Sequence, residues 1–241
     1  MTPFDQHTAE CRCEWGPHAP AALAPADVTI VVDVLSFATC VDVAVSRGVA
    51  ILPHAWTAWD DPAVVVFAAT HGAELAGKRR HARYSLAPSS YLDAPRGLRC
   101  VLRSPNGAGL SLAAAQTGSV LLSGCLRNAH AVAKAAMAMG RTFNVVPAGE
   151  RWPGGTLRPS VEDALGAGAI LRWLPGSRSP EAESVIAVFE RFKGELTDVL
   201  DRCGSGRELS ERGHRDDVSL AGALDVSECV PRFDGVAFVA G

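Results

Sequence analysis

Residues 28–35 read VTIVVDVL, and residues 36–48 read SFATCVDVAVSRG. The first is a nearly continuous β-branched run, the pattern of a strand covered on both faces, and such strands belong to α/β sheets. In the second, Phe37, Cys40, Val41, Ala44 and Val45 recur at helical spacing, Ser36 stands at an N-cap position and Gly48 at a C′ position. VAILP at 49–53 is the next strand, so the stretch is a βαβ unit. A second unit occupies 119–147: SVLLSG is strand and turn, LRNAHAVAKAAMAM a helix, Gly140 its stop and TFNVVP the following strand. The two read as a weak internal βαβ duplication within an α/β fold.

Working outward, the pattern predicts a strand at 63–69 (AVVVFAA), a helical fragment at 70–77, a polar stretch at 78–97 and a strand, RCVLRS, at 99–104. The polar stretch is too long for an idle turn, and loops of that length carry function more often than short ones. A helix is expected at 109–116 after Ser104-Pro105-Asn106-Gly107. AGERWPGGTLRPS after Pro147 reads as irregular, and an amphipathic helix capped by Ser160 should run from Val161 to Trp173. Helices at 181–202, 206–213 and 215–224 and a strand at 236–240 complete the chain. One domain over 1–241 is expected; a boundary at the 174–180 turn would set off residues 181–241 as a helical C-terminal lobe.

Composition narrows the function classes. The chain has 241 residues, of which 48% are hydrophobic and 20% charged, a globular balance. Lysine plus arginine is 23 and aspartate plus glutamate is 26, a formal charge of −3 with no strongly basic stretch, so nucleic acid is not expected as a partner. No long apolar run spans a membrane, and MTPFDQHTAECRCEW lacks the basic start and apolar centre of a signal peptide, so a cytoplasmic protein without a membrane partner is expected. Seven scattered cysteines fit reduced thiols. Cys11 and Cys13 could make a small metal site with His7 or His18, but no second cysteine pair completes it.

In open α/β sheets, ligands bind beyond the carboxyl ends of strands, where helix N-termini point free N–H groups at anions. Four such exits carry polar or glycine residues: Asp33 with Ser36; Ser104 to Gly107; Ser123 and Gly124 with Arg127 and Asn128; and Gly149, Glu150 and Arg151. Asp33 interrupts an apolar strand, which is costly unless a cation or donors compensate it; a capping role bonded to backbone N–H groups is the alternative. Arg127 opposes the dipole of its helix, and an anion between them would resolve the conflict. Glu162 and Asp163 begin the helix at 161 and are ordinary dipole partners or, with Asp33 and Glu150, oxygen ligands suited to Mg²⁺. Asp217 and Asp225 are spaced to share a helix face.

Absent motifs remove several chemistries. There is no GxGxxG after a strand, no GxxxxGK[ST], no HExxH and no GxSxG. Cys125 lacks the arginine a phosphatase nucleophile needs six residues on, where Ala131 stands. Leu35 occupies the position where an aspartyl-nucleophile phosphatase holds its acid.

The ordered set VVDVLSFATC, ELAGKR, SPNGAG, SGCLRNA, PAGE, VEDALGAG and HRDDVSLAGALDVSECVP resembles the 2-phosphosulfolactate phosphatase family over about residues 28–238. The resemblance implies a three-layer α/β/α fold with a mixed, mostly parallel sheet. It also implies Mg²⁺ dependence and hydrolysis of a phosphate ester on a sulfonated lactate, on the route to coenzyme M or other sulfonates. Asp33, Asn106-Gly107, Asn128 and the Glu162-Asp163 pair fall on family motif positions. The chain departs from the pattern at Ser36 (arginine), Lys78 (glutamate), Ala108 (threonine) and Cys125 (serine).

The expectation is therefore metal-assisted phosphomonoester hydrolysis. Asp33, Glu150 and Asp163 would be the catalytic and metal-binding carboxylates, with Ser36, Asn106, Gly107, Ser123, Gly124, Arg127, Asn128 and Arg151 around the substrate. Lys78 is a further candidate cation. The expected partner is a small anionic phosphorylated substrate, and the reading leaves room for a homodimer. A non-catalytic anion-binding protein on the same fold, and an enzyme of another reaction type, are the competing readings.

Overall fold

Val28, Ile30 and Val32 pack into one apolar cluster and Val31 into another, so the first long strand is buried on both faces, as its unbroken β-branched run requires. The computed structural model describes residues 2–241. In order, the elements are β1 (Cys11–Cys13), α1 (Ala19–Ala22), β2 (Val28–Val32), α2 (Phe37–Ser46), β3 (Ala50–Ala55), α3 (Pro62–Thr70), β4 (Glu74–Leu75), β5 (Arg99–Ser104) and α4 (Gly107–Ala114). Then come β6 (Val120–Gly124), α5 (Ala129–Met139), β7 (Phe143–Pro147), β8 (Glu150–Arg151), β9 (Leu157–Arg158) and α6 (Val161–Leu171). The chain continues through α7 (Pro180–Phe192), α8 (Leu196–Arg202), α9 (Gly204–Glu211), α10 (Arg215–Ala221), β10 (Pro231–Phe233) and β11 (Phe238–Ala240).

Nine strands form one mixed, mostly parallel sheet in the order β1-β7-β2-β6-β10-β11-β3-β5-β4. β1, β7, β2 and β6 are parallel neighbours, as are β3, β5 and β4, and the antiparallel β10–β11 hairpin joins the two blocks. Each side of that hairpin is held by a single register pair, Arg232 with Leu122 and Phe238 with Ile51. Helices α5, α6, α7, α8 and α10 cover one face of the first block; α2 and α4 cover the other and continue onto β3 and β5, whose far face carries α3. The result is the expected three-layer arrangement. The two βαβ units share element order, but three strands separate β2 from β3 and only β2 separates β6 from β7.

Four strands lie between β2 and β5, about 24 Å at usual strand spacing. Twist nevertheless brings their exits together, because α4 touches β2, β3 and β5 at once. This curl builds the site.

Several elements differ from the sequence reading. Residues 63–69 form helix α3, not a strand: Asp61 Oδ1 accepts the Ala63 N–H at 2.9 Å, Pro62 sits in the first turn, and Val64 and Ala68 face the sheet one turn apart while Val65 and Val66 face outward. Residues 70–77 are a turn and β4 rather than helix, the 181–202 helix is interrupted between α7 and α8, and the loop after Pro147 contains the β8–β9 ladder. β1, α1 and β10 had no sequence signal strong enough to read. β10 and β11 place the end of the 181–241 segment inside the sheet. All seven cysteines are free, and Cys11 and Cys13 lie buried in β1. Among the described residues, no helix is long and apolar enough to cross a membrane.

Candidate functional site

Asp33 follows β2 directly, and two helices begin against it. Its Oδ1 accepts the Phe37 N–H of α2 at 3.1 Å; its Oδ2 accepts the Gly107 N–H of α4 at 2.8 Å and the Ser104 hydroxyl at 3.5 Å. The capping reading of Asp33 is thus what the geometry displays, whereas the Ser36 hydroxyl caps nothing. Gly107 is required by approach, since a Cβ there would lie 2.5 Å from Asp33 Oδ2 and 2.7 Å from Phe37 Cδ1. Two helix N-termini favour the carboxylate, but burial dominates and pushes the Asp33 acid up to about 6.

Asn106, at the start of α4, donates from Nδ2 to Glu150 Oε2 at 2.9 Å, joining the exit of β5 to that of β7. Burial, then the charge of Asp33, raises Glu150 to about 7. Glu150 and Ser36 line one cleft of about 280 Å³, with Arg79, Leu86, Arg212 and His214 among its other walls. Arg79, from the long polar stretch, donates from Nη2 to Ser36 Oγ at 2.9 Å and to the Leu86 carbonyl, and its Nη1 is 3.8 Å from Asp217 Oδ2. The structure therefore gathers Asp33, Ser36, Asn106, Gly107 and Glu150.

Asp163 lies behind this group as a tie. Oδ1 accepts the Val34 N–H at 2.7 Å, and Oδ2 accepts the Gly149 N–H at 2.8 Å and the Ser160 hydroxyl at 2.9 Å. Both of its oxygens are engaged, as both of those of Asp33 are. Its neighbour Glu162, also buried, has an Oε1 without any hydrogen-bond partner.

The remaining predicted residues lie apart from the cleft. Arg127 donates to Asp42 Oδ2 of α2 at 2.8 Å and to the Leu220 carbonyl at 3.1 Å. The anion its position called for is one of the protein's own carboxylates. Asn128 is consumed by backbone: Oδ1 accepts the Cys125 N–H at 2.9 Å, while Nδ2 donates to the Ser123 and Cys229 carbonyls. Ser123 is buried in β6, and Gly124 is small because a Cβ would strike Ile170 at 2.6 Å. Arg151 is exposed, and its side chain bonds the nearby Gly155 carbonyl at 3.1 Å. Lys78 rests its ammonium 5.7 Å from the Trp59 ring. Asp217 accepts the Ser89 N–H, while Asp225 accepts the His130 N–H, so the two do not act together.

Arg79 and His214 were missed as site residues, and Glu162 was read either as a dipole partner or as an oxygen ligand. The ELAGKR motif ran through Arg79, and the length of the polar stretch was its only further signal.

The donor set suits a hard divalent cation in kind: Asp33 is held against ionisation by burial and the charge of Glu162, Glu150 by burial and the charges of Asp33 and Glu162, and Glu162 Oε1 is buried and unpartnered. Among the described residues, no three His, Cys, Asp or Glu side chains converge as a ready metal cluster. The fit therefore rests on the chemistry of Asp33, Glu150 and Glu162, with Asp163 beside them.

Comparison with known proteins places this site in context. The chain is 31% identical over 137 residues to a probable 2-phosphosulfolactate phosphatase of Gloeobacter violaceus, and 34% identical over 137 residues to a 2-phosphosulfolactate phosphatase of Methanothermobacter thermautotrophicus. Each match takes in 56% of this chain and spans little more than half, 56%, of the relative. A probable 2-phosphosulfolactate phosphatase of Deinococcus radiodurans is 28% identical over 215 residues, 85% of this chain and 87% of that protein. The family model described as 2-phosphosulpholactate phosphatase matches residues 17–235. With its matched span running from before β2 to beyond β10, the chain belongs to the 2-phosphosulpholactate phosphatase family.

Proposed function

We propose that the chain is a Mg²⁺-dependent phosphoric monoester hydrolase acting on 2-phosphosulfolactate or a related small phosphorylated hydroxy acid. The observation that carries the reading is the meeting of Asp33, Asn106 and Glu150 beside the N-termini of α2 and α4, on a cleft walled by Ser36 and Arg79. Acid–base groups and anion-binding groups are thereby adjacent. In the reaction, water attacks phosphorus, the phosphorus–oxygen bond to the organic body breaks, and the leaving oxygen takes a proton, giving hydroxy acid and inorganic phosphate. Glu150, raised to about 7 and oriented by Asn106 Nδ2, is the group suited to hold or pass that proton near neutrality. Arg79, fixed by Ser36 Oγ and the Leu86 carbonyl, supplies positive charge for the second anionic group of the substrate. Asp33 fixes both helix N-termini and, with Glu150 and Glu162, would hold Mg²⁺. When bound, Mg²⁺ supplies charge neutralisation at the phosphoryl oxygens.

The test is phosphate release from a panel of phosphorylated hydroxy acids, with and without Mg²⁺. Release is expected only with Mg²⁺, and Asp33→Asn should abolish it. Intact release in Asp33→Asn would remove the role given to that carboxylate.

A further inference from the structure

Beyond the cleft, on the other side of Arg79 and Leu86, lies a second compartment of about 160 Å³ whose remaining walls include Trp56, Trp59, Ala76 and Arg103. Arg79 and Leu86 line both spaces, so the two share a wall. The second is built differently from the first. The Trp56 and Trp59 rings meet edge to face at 4.8 Å, yet remain 44% and 41% exposed, on a segment that Arg103 Nη1 anchors through the Ala58 carbonyl at 2.9 Å. The Arg103 guanidinium lies 4.8 Å from the Trp59 centroid and 5.9 Å from that of Trp56.

Two features point to a ligand. The volume is that of a ring, since an apolar cavity of about 150 Å³ takes benzene. Arg103 is 4% exposed, and its Nε, like Arg79 Nη1, is buried without a hydrogen-bond partner. Both guanidiniums line the compartment, and their positive charge at its edge favours an anionic or acceptor group on an entering molecule. Indole walls with cationic edges suit a flat apolar body bearing an anionic or hydroxyl group.

We propose that this compartment is a specificity pocket, and that the preferred substrate class is the phosphate monoester of a 2-hydroxy acid bearing an aryl group, whose ring lies between Trp56, Trp59 and Leu86. This rests on the phosphatase reading above and names the substrate body that reading left open.

Phosphate release with Mg²⁺ is compared for phospholactate and phosphophenyllactate in the wild type, Trp59→Ala and Trp59→Phe. Binding of phenyllactate alone is followed by calorimetry, and assembly by sedimentation. The aryl ester should be preferred by about tenfold or more in kcat/KM. That ratio should collapse toward one in Trp59→Ala through KM, and recover in Trp59→Phe. Phenyllactate should bind the wild type and fail to bind folded Trp59→Ala. If no ester is hydrolysed but phenyllactate binds in this Trp59-dependent way, the phosphatase reading fails and the pocket stands. If phospholactate is hydrolysed while phenyllactate does not bind and its ester is not preferred, the pocket is overturned. A dimer that dissociates in Trp59→Ala, with no phenyllactate binding, also overturns it and gives the indole pair to a second copy of the chain.

Discussion

Replacing Gly107 by alanine tests the convergence on Asp33 directly. The added Cβ would lie 2.5 Å from Asp33 Oδ2, 2.7 Å from Phe37 Cδ1 and 2.9 Å from Asp33 Cβ. Asp33 is 5% exposed and Phe37 fully buried, so neither has space to retreat. Overpacking of this kind costs about 1–3 kcal/mol. Relief by moving the α4 N-terminus would sacrifice the 2.8 Å bond from Gly107 N–H to a carboxylate, worth about 1.5–3 kcal/mol. Either route gives a destabilisation of about 1–3 kcal/mol. Urea unfolding should show a lower midpoint at unchanged slope, and phosphate release by the folded fraction should fall as Asn106 is displaced from Glu150. Loss of that N–H also removes a contribution that lowers the Asp33 acid, so its titration should move further above about 6. Stability within about 0.5 kcal/mol of the wild type, together with undiminished phosphate release, would refute the argument.

Further outcomes follow from the same contacts. Asp33 and Glu150 are harder to ionise in the folded chain, at about 6 and about 7 against ordinary values of 3.8 and 4.5, so their stabilising contribution is complete below about pH 4 and is lost as pH rises through 6 and 7. Urea midpoints at pH 5 and pH 8 without divalent ions should differ accordingly; equal midpoints would contradict it, and Mg²⁺ should narrow the gap. Asp163→Asn sets an amide NH₂ against a backbone or hydroxyl donor and should cost about 2–4 kcal/mol in urea unfolding. Arg127→Ala leaves the fully buried Asp42 with only the Ser227 hydroxyl and should cost about 3–5 kcal/mol in thermal melts, with kcat of the folded enzyme preserved.

What the sequence disclosed follows from how local each determinant is. β2 was readable because burial on both faces leaves an unbroken β-branched run, and Asp33 because a carboxylate ending such a run needs compensation. Asn106 and Gly107 were readable as a turn opening a helix. The α3 segment misled because three consecutive valines resemble a buried strand, although Asp61-Pro62 carries the N-cap and first-turn signature of a helix. Arg127 misled because its neutralising partner, Asp42, lies 85 residues earlier in the chain. Arg79 and Glu162 acquire their roles only from tertiary placement: one reaches Ser36 across 43 residues, and the other is left unpartnered by the packing around α6.

The hairpin that joins the two parallel blocks has a consequence for how the protein is made. Both blocks must wait for residues 231–240 to be synthesised, and until then β6 and β3 each show a bare hydrogen-bonding edge. A nascent chain halted before Pro231 would hold nearly all the side chains of the cleft without the clasp that closes the sheet. Such a fragment would be prone to pair with another like itself, and ribosome-associated chaperones should engage it more than the finished protein.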